Sequence, residues 1–415
     1  MIRIYIDKIW NRHNEEENKM KNVKMRLLST VCAAVLCSTI LSGCSTSAQV
    51  TTTAAAAAET TAAAAAETTA APDSTTAAEV TEAASLSNEA IAVKAATEGK
   101  VGNWGLGNEY EIQALLMKYG QPTTYLSQAF DMDGFDDDSI TLASAMTYNE
   151  LGLVKNDYDG GYAYGDDVGV IDMNDEGVAM LEDNLFTTAA FAEANPNTVK
   201  AFIYASMMGW AYACENPEEA AEIVFNNGSS VSAEHQAYMA AEVKKLCETD
   251  VNGNAVTAIG NMDEEAMQQT LDLAKLYIQL DDAVAKENLS ALTLDDIRDA
   301  SYLTEALASA DGKFGDLEKT DISIQLKWLP QAQFMGYYVA LDKGFYEDVG
   351  LNVTIVPGGG DISETTAVNS GTVDFGVTWV SNLISANAGG MDLLEVAQVY
   401  QRSGLVLVYK YANFQ

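Results

Sequence analysis

Short apolar strands alternate with helices throughout the segment from residue 321 to residue 415, and this alternation limits the fold more than any other feature. Strand-like segments such as "ISIQLKWL" (322–329), "NVTIVP" (352–357) and "VDFGVTW" (373–379) are separated by helix-like text such as "FMGYYVALDKGFYEDVG" (334–350). Strands that alternate with helices form a largely parallel sheet covered by helices. The pattern therefore predicts an α/β lobe over residues 321–415.

An earlier part of the chain repeats this alternation with different strand texts. Residues 98–188 contain the strand candidates "KVGNW", "TTYLSQAF", "ITLASAMTY" and "VGVIDM" and the helix candidate "NEYEIQALLMKYG". Residues 189–320 are mostly helical, with Asn-Pro pairs at helix starts and the joining segment "FGDLEKTD" at the end. The sequence predicts a second α/β lobe over 98–188, followed by helices and a joining linker over 189–320.

The N-terminal segment predicts export. Basic residues precede the apolar run "LLSTVCAAVLCSTI" and the stretch "LSGC", an arrangement typical of a signal peptide over residues 1–43. The stretch "LSGC" resembles the lipobox of bacterial lipoproteins, which implies that Cys44 is lipidated. Residues 1–19 are interpreted as an over-long start, and the Thr/Ala-rich residues 44–87 as a flexible linker, because they offer little to bury in a core.

Charge and cysteine content exclude several classes of function. A formal net charge of −37 disfavours binding to nucleic acid or to an anionic membrane surface. Cys214 and Cys247 are predicted to be buried free thiols rather than a disulfide framework. The Asp-rich loops 131–139 and 157–167 lack the spacing of an EF-hand calcium loop, so no metal site is expected.

Several motifs identify a family resemblance. The stretches "LKWLPQAQFMGYYVALDKGFYEDVGLNVTIVPGGG", "SGTVDFGVTW" and "QRSG" resemble the first lobe of periplasmic binding proteins of the thiamine-pyrimidine type. The stretches "GNWGLGNEYE", "SAMTYNE" and "NLFTT" resemble the second lobe. The superfamily is shared with fungal thiamine pyrimidine synthases and related to alkanesulfonate and taurine binders. The resemblance, over about residues 98–415, implies an α/β fold of the two-lobe type II (Venus flytrap) kind.

The order of the lobes differs from the family pattern. In the family the "LKW" lobe comes first, whereas here it follows the "GNW" lobe. The simplest interpretation is a circular permutation, which requires old termini that lie close together and new termini in an exposed connection. A damaged tandem of two incomplete copies and a dimer with exchanged lobes are the alternatives.

Candidate ligand-binding residues follow the predicted strand ends, because ligands of open α/β sheets lie beyond the carboxyl ends of the strands. Aromatic residues at these ends supply stacking faces and polar residues supply hydrogen bonds, and by resemblance Glu150 is the candidate carboxylate for an aminopyrimidine, with Tyr148 as stacking partner. Three alternatives stay open: the Trp side chains plug the sheets, the Gly358–Gly360 run is a plain turn, and Glu109 only caps a helix. The candidates are Trp328, Gln331, Gly359, Asp361, Trp379, Ser381, Asn382, Asn103, Trp104, Glu109, Tyr148, Asn149 and Glu150.

The resemblance implies a lipid-anchored receptor that delivers a small heterocycle to the permease and ATPase of an ABC importer, with no catalytic residues and no cofactor. The ligand expected is a hydroxymethyl- or formylamino-pyrimidine, and riboflavin is the rival. A synthase of the fungal type would need a cofactor-binding lysine and a donor histidine where this chain has Thr378 and Asn382. Sulfonate binding is disfavoured because Arg402 is the only nearby arginine.

Overall fold

A computed structural model describes residues 86–415, and the predicted signal peptide, Cys44 and nearly all of the predicted linker lie outside the described residues. Ten strands belong to this part of the chain. They are β1 Val101–Asn103, β2 Leu126–Ser127, β3 Leu142–Met146, β4 Val168–Asp172, β5 Asn184–Thr188, β6 Asp321–Gln325, β7 Asn352–Val356, β8 Phe375–Thr378, β9 Leu393–Gln398 and β10 Leu405–Lys410.

Fifteen α-helices lie in the same described part of the chain. They are α1 Asn88–Glu98, α2 Glu109–Lys118, α3 Asp133–Asp136, α4 Glu150–Lys155, α5 Ala189–Ala194, α6 Pro196–Glu215, α7 Pro217–Asn226, α8 Ala233–Glu248, α9 Glu264–Tyr277, α10 Ala283–Ala291, α11 Ala300–Ala308, α12 Met335–Asp342, α13 Phe345–Asp348, α14 Glu364–Asn369 and α15 Val380–Ala388. Within residues 86–415, none of these helices combines the length and apolar character that crossing a membrane requires.

The strands form two five-stranded sheets, each of which organises one lobe. One sheet has the order β2-β1-β3-β10-β4 and the other has the order β7-β6-β8-β5-β9. We name them the Trp104 lobe and the Trp379 lobe after a residue that follows a strand in each. The two-lobe α/β fold predicted from the sequence is therefore confirmed.

Both sheets are mixed rather than largely parallel. In the Trp104 lobe β1 pairs in parallel with β2 and β3, whereas β10 runs antiparallel to β3 and β4. In the Trp379 lobe β6 pairs in parallel with β7 and β8, whereas β5 runs antiparallel to β8 and β9. In each sheet the antiparallel strand comes from the other half of the chain.

This exchange of strands corrects the predicted lobe boundaries. Strand β5 was assigned to the lobe 98–188 but pairs in the Trp379 lobe, and β10 was assigned to the lobe 321–415 but pairs in the Trp104 lobe. Alternating hydrophobicity distinguishes a strand from a helix but does not say which sheet the strand joins. The connections 173–183 and 399–404 therefore both cross between the lobes.

The two crossing connections lie against each other and form a hinge region. The Asn174 side chain donates to Ser403 O at 2.9 Å and accepts from Ser403 N at 3.2 Å. The carboxylate of Glu182 accepts from Gly404 N at 3.0 Å and from the Ser403 hydroxyl at 3.2 Å. These bonds hold the two connections together where the chain passes from one lobe to the other.

The predicted helical region packs mainly on the Trp379 lobe. In α6, Phe202 stacks on Phe375 of β8, with ring centroids 4.2 Å apart. Gly209 of α6 faces α12 so closely that a Cβ there would lie 2.2 Å from Gly336 O. The joining segment is also docked, because Glu318 accepts from the backbone N–H of Thr198 at 2.9 Å in the first turn of α6. Because α6 begins with Pro196, its remaining free N–H groups need such a partner.

Helix α1 was not predicted, although its sequence carries a start signal. The Ser87 hydroxyl accepts from Ala90 N at 3.2 Å, and Gly99 ends the helix in the left-handed conformation at φ +68°. The helix reaches the segment that follows β10: Lys94 Nζ lies 5.2 Å from the centre of the Phe414 ring. The segment before β1 and the segment after β10 are thus neighbours in the Trp104 lobe.

Candidate functional site

A cleft between the two lobes is the candidate ligand site. It encloses about 430 Å³, counting the space at its open mouth. Strand ends and the loops after them supply its walls, as the sequence predicted for an α/β fold. The lining residues are Trp104, Leu106, Phe130, Met146, Tyr148, Asn149, Glu150, Lys327, Trp328, Gln331, Gln333 and Trp379.

Aromatic faces dominate both walls. The ring of Trp328 meets the ring of Phe130 edge-on across the lobes, with centroids 4.9 Å apart. Trp104 is held by a bond from its indole N–H to Ala129 O at 3.0 Å. Trp379 is 6% exposed and follows β8 directly. The predicted stacking residues therefore converge, and Trp104, Trp328 and Trp379 border the cleft rather than only plugging the sheets.

Glu150 lies in the cleft wall at the start of α4. Its carboxylate accepts from Met146 N at 2.9 Å and from the Asn149 side-chain amide at 2.7 Å. The group is 7% exposed, and burial raises its pKa to about 7 despite these hydrogen bonds. The carboxylate is thus fixed by its own loop and has lone pairs left to accept from a ligand.

The residues beside Glu150 are fixed from behind. Asn149 Oδ1 lies 2.8 Å from His235 Nε2, and the other ring nitrogen of His235 lies 2.7 Å from the Tyr158 hydroxyl. Burial lowers the pKa of His235 to about 4, so the ring is neutral, with Nε2–H donating and Nδ1 accepting. Tyr148 is 2% exposed and packs edge-on against Tyr400. His235 therefore acts as a packing residue that orients Asn149.

Lys327 is the cation of the cleft, and it was not among the predicted site residues. Its ammonium lies 3.2 Å from Glu364 Oε1 and 4.4 Å from the centre of the Trp379 ring. The same Glu364 oxygen accepts from the Thr378 hydroxyl at the end of β8. Lys327 lies two residues after the end of β6, next to Trp328. The rule that ligands lie beyond strand ends, which selected Trp328, could therefore have selected Lys327 as well.

A chain of amides connects the cleft to the hinge. Gln331 donates to Gln333 Oε1 at 2.6 Å, and Gln333 donates to both carboxylate oxygens of Asp183 at 2.9 and 3.0 Å. Asp183 is 1% exposed and lies at the end of the crossing connection 173–183. Burial raises its pKa to about 7. Gln331 was predicted, whereas Gln333 and Asp183 were not, because their contact depends on the crossing of the chain.

Two predicted ligand residues join the lobes instead. The Ser381 hydroxyl donates to Gly107 O at 2.6 Å, and the Asn382 amide donates to Leu106 O at 3.0 Å. Gly107 has φ +112°, and a Cβ there would lie 2.0 Å from Asn382 Oδ1. We name these contacts between the lobes the latch. They correct the prediction that Ser381 and Asn382 bind the ligand, because both side chains donate to the opposite lobe and neither lines the cleft.

Two more candidates from the Trp104 lobe, Asn103 and Glu109, lie outside the cleft lining. Asn103 is fully buried and bridges Ser144 Oγ and Gly105 N, so it holds the strand end in place. Glu109, the first residue of α2, accepts from Gly107 N at 2.6 Å, so it fixes the loop before the helix rather than capping the helix.

In the glycine run after β7, the backbone passes close to the backbone that follows β6. A Cβ at Gly358 would lie 2.1 Å from Leu326 O, so only glycine fits there without a shift of the backbone. Gly359 and Asp361, both predicted to bind ligand, do not line the cleft, and Asp361 is exposed. The turn brings the β7 end against the β6 end, which is a structural role.

The charged groups that the sequence offered for a sulfonate or a metal ion do not form such a site within residues 86–415. Arg402 pairs with Asp172 at 3.3 Å and does not line the cleft. Among residues 86–415, no three or more His, Cys, Asp or Glu side chains are grouped so as to hold a metal ion. In the Asp-rich loop 131–139, Asp133 and Asp136 accept from the hydroxyls of Tyr162 and Tyr164.

Comparison with known proteins places the chain by family. No curated protein and no solved structure matched the sequence. A family model described as NMT1/THI5 like matches residues 43–220 and 331–413, which together make up more than half of the chain. This family covers both solute-binding proteins and thiamine pyrimidine synthases. The matched segments contribute to both walls of the cleft, and the chain belongs to the NMT1/THI5-like family.

Proposed function

We propose that the protein is an extracytoplasmic solute-binding lipoprotein of an ABC importer and that its ligand is a thiamine pyrimidine precursor. The observation that carries the proposal is the cleft between the lobes, where three Trp side chains, one carboxylate and several amides surround one space. A flat aminopyrimidine needs an aromatic face, an acceptor for its exocyclic amine and donors for its ring nitrogens. The cleft offers each of these groups.

We propose a single-ring ligand rather than a flavin. The indole faces, the one carboxylate and the amides of the cleft lining match the groups of an aminopyrimidine. A hydroxymethyl- or formylamino-pyrimidine is a compact ligand, whereas riboflavin adds two fused rings and a ribityl chain. Riboflavin therefore remains the rival in the test rather than the first choice.

The side chains at the positions of the synthase chemistry support binding rather than synthesis. Thr378 and Asn382, which stand where a synthase would have its lysine and histidine, bond to Glu364 and to Leu106 O. His235, buried with a neutral ring and both nitrogens bonded, is not placed to donate its ring atoms. We therefore propose a receptor with no catalytic residue and no cofactor.

The test is calorimetric titration of the purified full chain with formylaminopyrimidine, hydroxymethylpyrimidine, thiamine and riboflavin in parallel. We expect one-to-one binding of a pyrimidine precursor in the cleft. If the folded chain binds riboflavin alone, riboflavin replaces the pyrimidine precursor as the proposed ligand. If the folded chain binds none of the four compounds, the proposal is contradicted. Iron- and pyridoxal-phosphate-dependent formation of a pyrimidine product would favour the synthase.

The lipid anchor and the partners are part of the same proposal. We propose that Cys44 is acylated after cleavage of residues 1–43, so that the protein is held at the outer face of the cell membrane, where it meets the permease and ATPase. Incorporation of labelled palmitate into the wild-type chain, and its loss in Cys44→Ala, is the expected result. Equal labelling of the two chains would exclude this anchor.

We also propose that the lobes are circularly permuted within one functional domain. The proposal is supported by the contact between Lys94 of α1 and Phe414 after β10, and by the docking of the joining segment through Glu318. A chain in which residue 415 is linked to residue 88 and which begins at residue 321 should fold and bind the same ligand. Failure of that chain to fold, while the natural order folds, would contradict the permutation.

A further inference from the structure

Lys327 is the one group in the cleft lining that carries a fixed positive charge. It is 8% exposed and follows β6 in the Trp379 lobe, on the wall opposite Glu150. A buried ammonium is costly unless it is paired, and here Glu364 supplies the pair at 3.2 Å. Lys327 is therefore held in the wall as a cation.

Two neighbours, Glu364 and Trp379, fix the position of this cation. Glu364 is 5% exposed and is itself fixed by the hydroxyl of Thr378. The face of the Trp379 ring lies 4.4 Å from the ammonium, within the range of a cation–π contact. The ammonium is preorganised in this way, which is the condition for selective recognition of a ligand group.

The hydrogen bonds of Lys327 are not complete. An ammonium has three N–H donors, and among the described residues this one donates a single hydrogen bond, to Glu364. Because Lys327 borders the cleft, a ligand there is in position to accept from it. An oxygen acceptor would bind to a charged donor, and charged hydrogen bonds are among the stronger ones.

The opposite wall offers the complementary chemistry. Glu150, in the Trp104 lobe, presents a carboxylate that suits an amine of the ligand. A ligand with an amine on one side and an oxygen acceptor on the other would therefore contact both lobes. Such a ligand would stabilise closure of the lobes around it.

We propose that Lys327 is a specificity-determining residue that donates to a carbonyl oxygen of the ligand, so that the site selects an aminopyrimidine carrying an acyl group over the same molecule with a free amine. The inference rests on the proposed function. A free aminomethyl group is cationic at neutral pH and would be repelled by the ammonium, whereas its formyl derivative is neutral and presents an oxygen.

The experiment compares two ligands and two matched lysines. Calorimetry measures binding of formylaminopyrimidine and of its deformylated amine to the purified full chain, to Lys327→Met and to Lys343→Met. Lys343 is the control because it also pairs with a glutamate, Glu219, and lies 5.1 Å from an aromatic ring, that of Tyr212, but it is not part of the cleft lining.

We expect Lys327→Met to weaken binding of the formyl compound by about tenfold or more and to leave binding of the amine equal or tighter. Lys343→Met should change neither. The double variant Lys327→Met/Glu364→Gln also removes the carboxylate that Lys327→Met leaves buried and unpaired, so it is less prone to unfold. It should show the same weaker binding of the formyl compound and the same equal or tighter binding of the amine. Rescue of the preference by Lys327→Arg would support the role of the charge.

Three results would overturn the inference, and each is distinguishable from failure of the proposed function. Equal weakening of both ligands would mean that Lys327 only maintains the wall, and unchanged binding of the formyl compound would mean that it does not contact the ligand. If the folded wild-type chain binds neither compound but binds hydroxymethylpyrimidine, the inference alone is overturned. If it binds none of these pyrimidines, the proposed function fails and this inference fails with it.

Discussion

Carboxylates are buried in two regions between the lobes, the hinge and the cleft, and their surroundings differ. At the hinge Glu182 accepts from Gly404 N and the Ser403 hydroxyl, and Glu111 of α2 accepts from Met180 N at 2.9 Å. In the cleft wall Glu150 borders open space. Behind the wall Glu364 pairs with Lys327 and does not line the cleft. The hinge carboxylates accept mainly from the backbone, whereas Glu150 keeps capacity for a ligand.

The difference teaches that burial by itself does not mark a binding residue. Burial raises the pKa of Glu111 to about 8, and burial together with repulsion from Glu111 raises the pKa of Glu182 well above its usual value. Burial also raises the pKa of Glu150 to about 7. What separates the regions is whether the carboxylate borders a cavity. The following predictions test this distinction, from the largest expected effect to the smallest.

The largest effect is expected at the hinge, on stability. A carboxyl group whose pKa is higher in the folded chain binds its proton more tightly there, so it stabilises the fold at low pH, and the contribution is lost as the pH rises. For Glu111 the window runs from about pH 4.5 to about pH 8. Glu111→Gln removes this titration. Across that window the unfolding free energy of the variant should therefore fall less than that of the wild type, by about 2–5 kcal/mol.

Denaturant unfolding at a series of pH values measures this change. The control is Glu287→Gln, an exposed glutamate on α10, which should keep the wild-type slope. Ligand affinity at a fixed pH should stay the same in Glu111→Gln, because the residue does not line the cleft. A pH slope identical to that of the wild type would contradict the assignment of Glu111 as a proton-holding hinge group.

The second effect is expected in the cleft, on affinity. Glu150→Gln places an amide where both neighbours, Met146 N and the Asn149 amide, donate, so one of these bonds is lost along with the acceptor for a ligand amine. Affinity for a pyrimidine precursor should fall by about 1–3 kcal/mol in calorimetry. Glu264→Gln is the matched control, because Glu264 also starts a helix, α9, but lies outside the cleft lining. Equal losses in the two variants would erase the distinction between bordering and distant carboxylates.

A smaller effect is expected at the latch, which joins the lobes without a carboxylate. Gly107→Ala combines a φ of +112° with a Cβ 2.0 Å from Asn382 Oδ1, so it should open the latch and weaken ligand binding by about 1–2 kcal/mol. Small-angle scattering should report a more open ligand-free chain. Gly99→Ala, at φ +68° with no atom within 4 Å, controls for backbone strain alone and should leave the scattering curve unchanged.

The smallest effect is expected at the mouth of the cleft. Phe130 is 56% exposed, and its contact with Trp328 is edge-on, so Phe130→Ala should reduce ligand affinity by less than about 1 kcal/mol. Phe225→Ala, which removes an exposed ring on α7 that does not line the cleft, should have no effect on affinity. A loss as large as that in Glu150→Gln would show that the mouth contributes more to binding than the polar wall.

The sequence by itself determined the elements and half of the site. Alternating apolar residues predicted most strands and the long helices, and the strand-end argument placed Trp104, Trp328, Trp379, Gln331 and the loop 148–150 at one cleft. Both succeed because they depend on local periodicity and on the geometry shared by all α/β sheets. The family resemblance is confirmed at the level of the family.

Only the tertiary structure decided which sheet each strand joins and which polar groups remain free. The exchange of β5 and β10 between the lobes brings Asp183 to Gln333, and the approach of the lobes commits Ser381 and Asn382 to the latch. These pairings join residues far apart in the chain, and no local pattern encodes a partner at that distance. A residue's type fixes which hydrogen bonds it is able to make, whereas the fold fixes which of them are already made, and that difference separates Lys327 from Asn382.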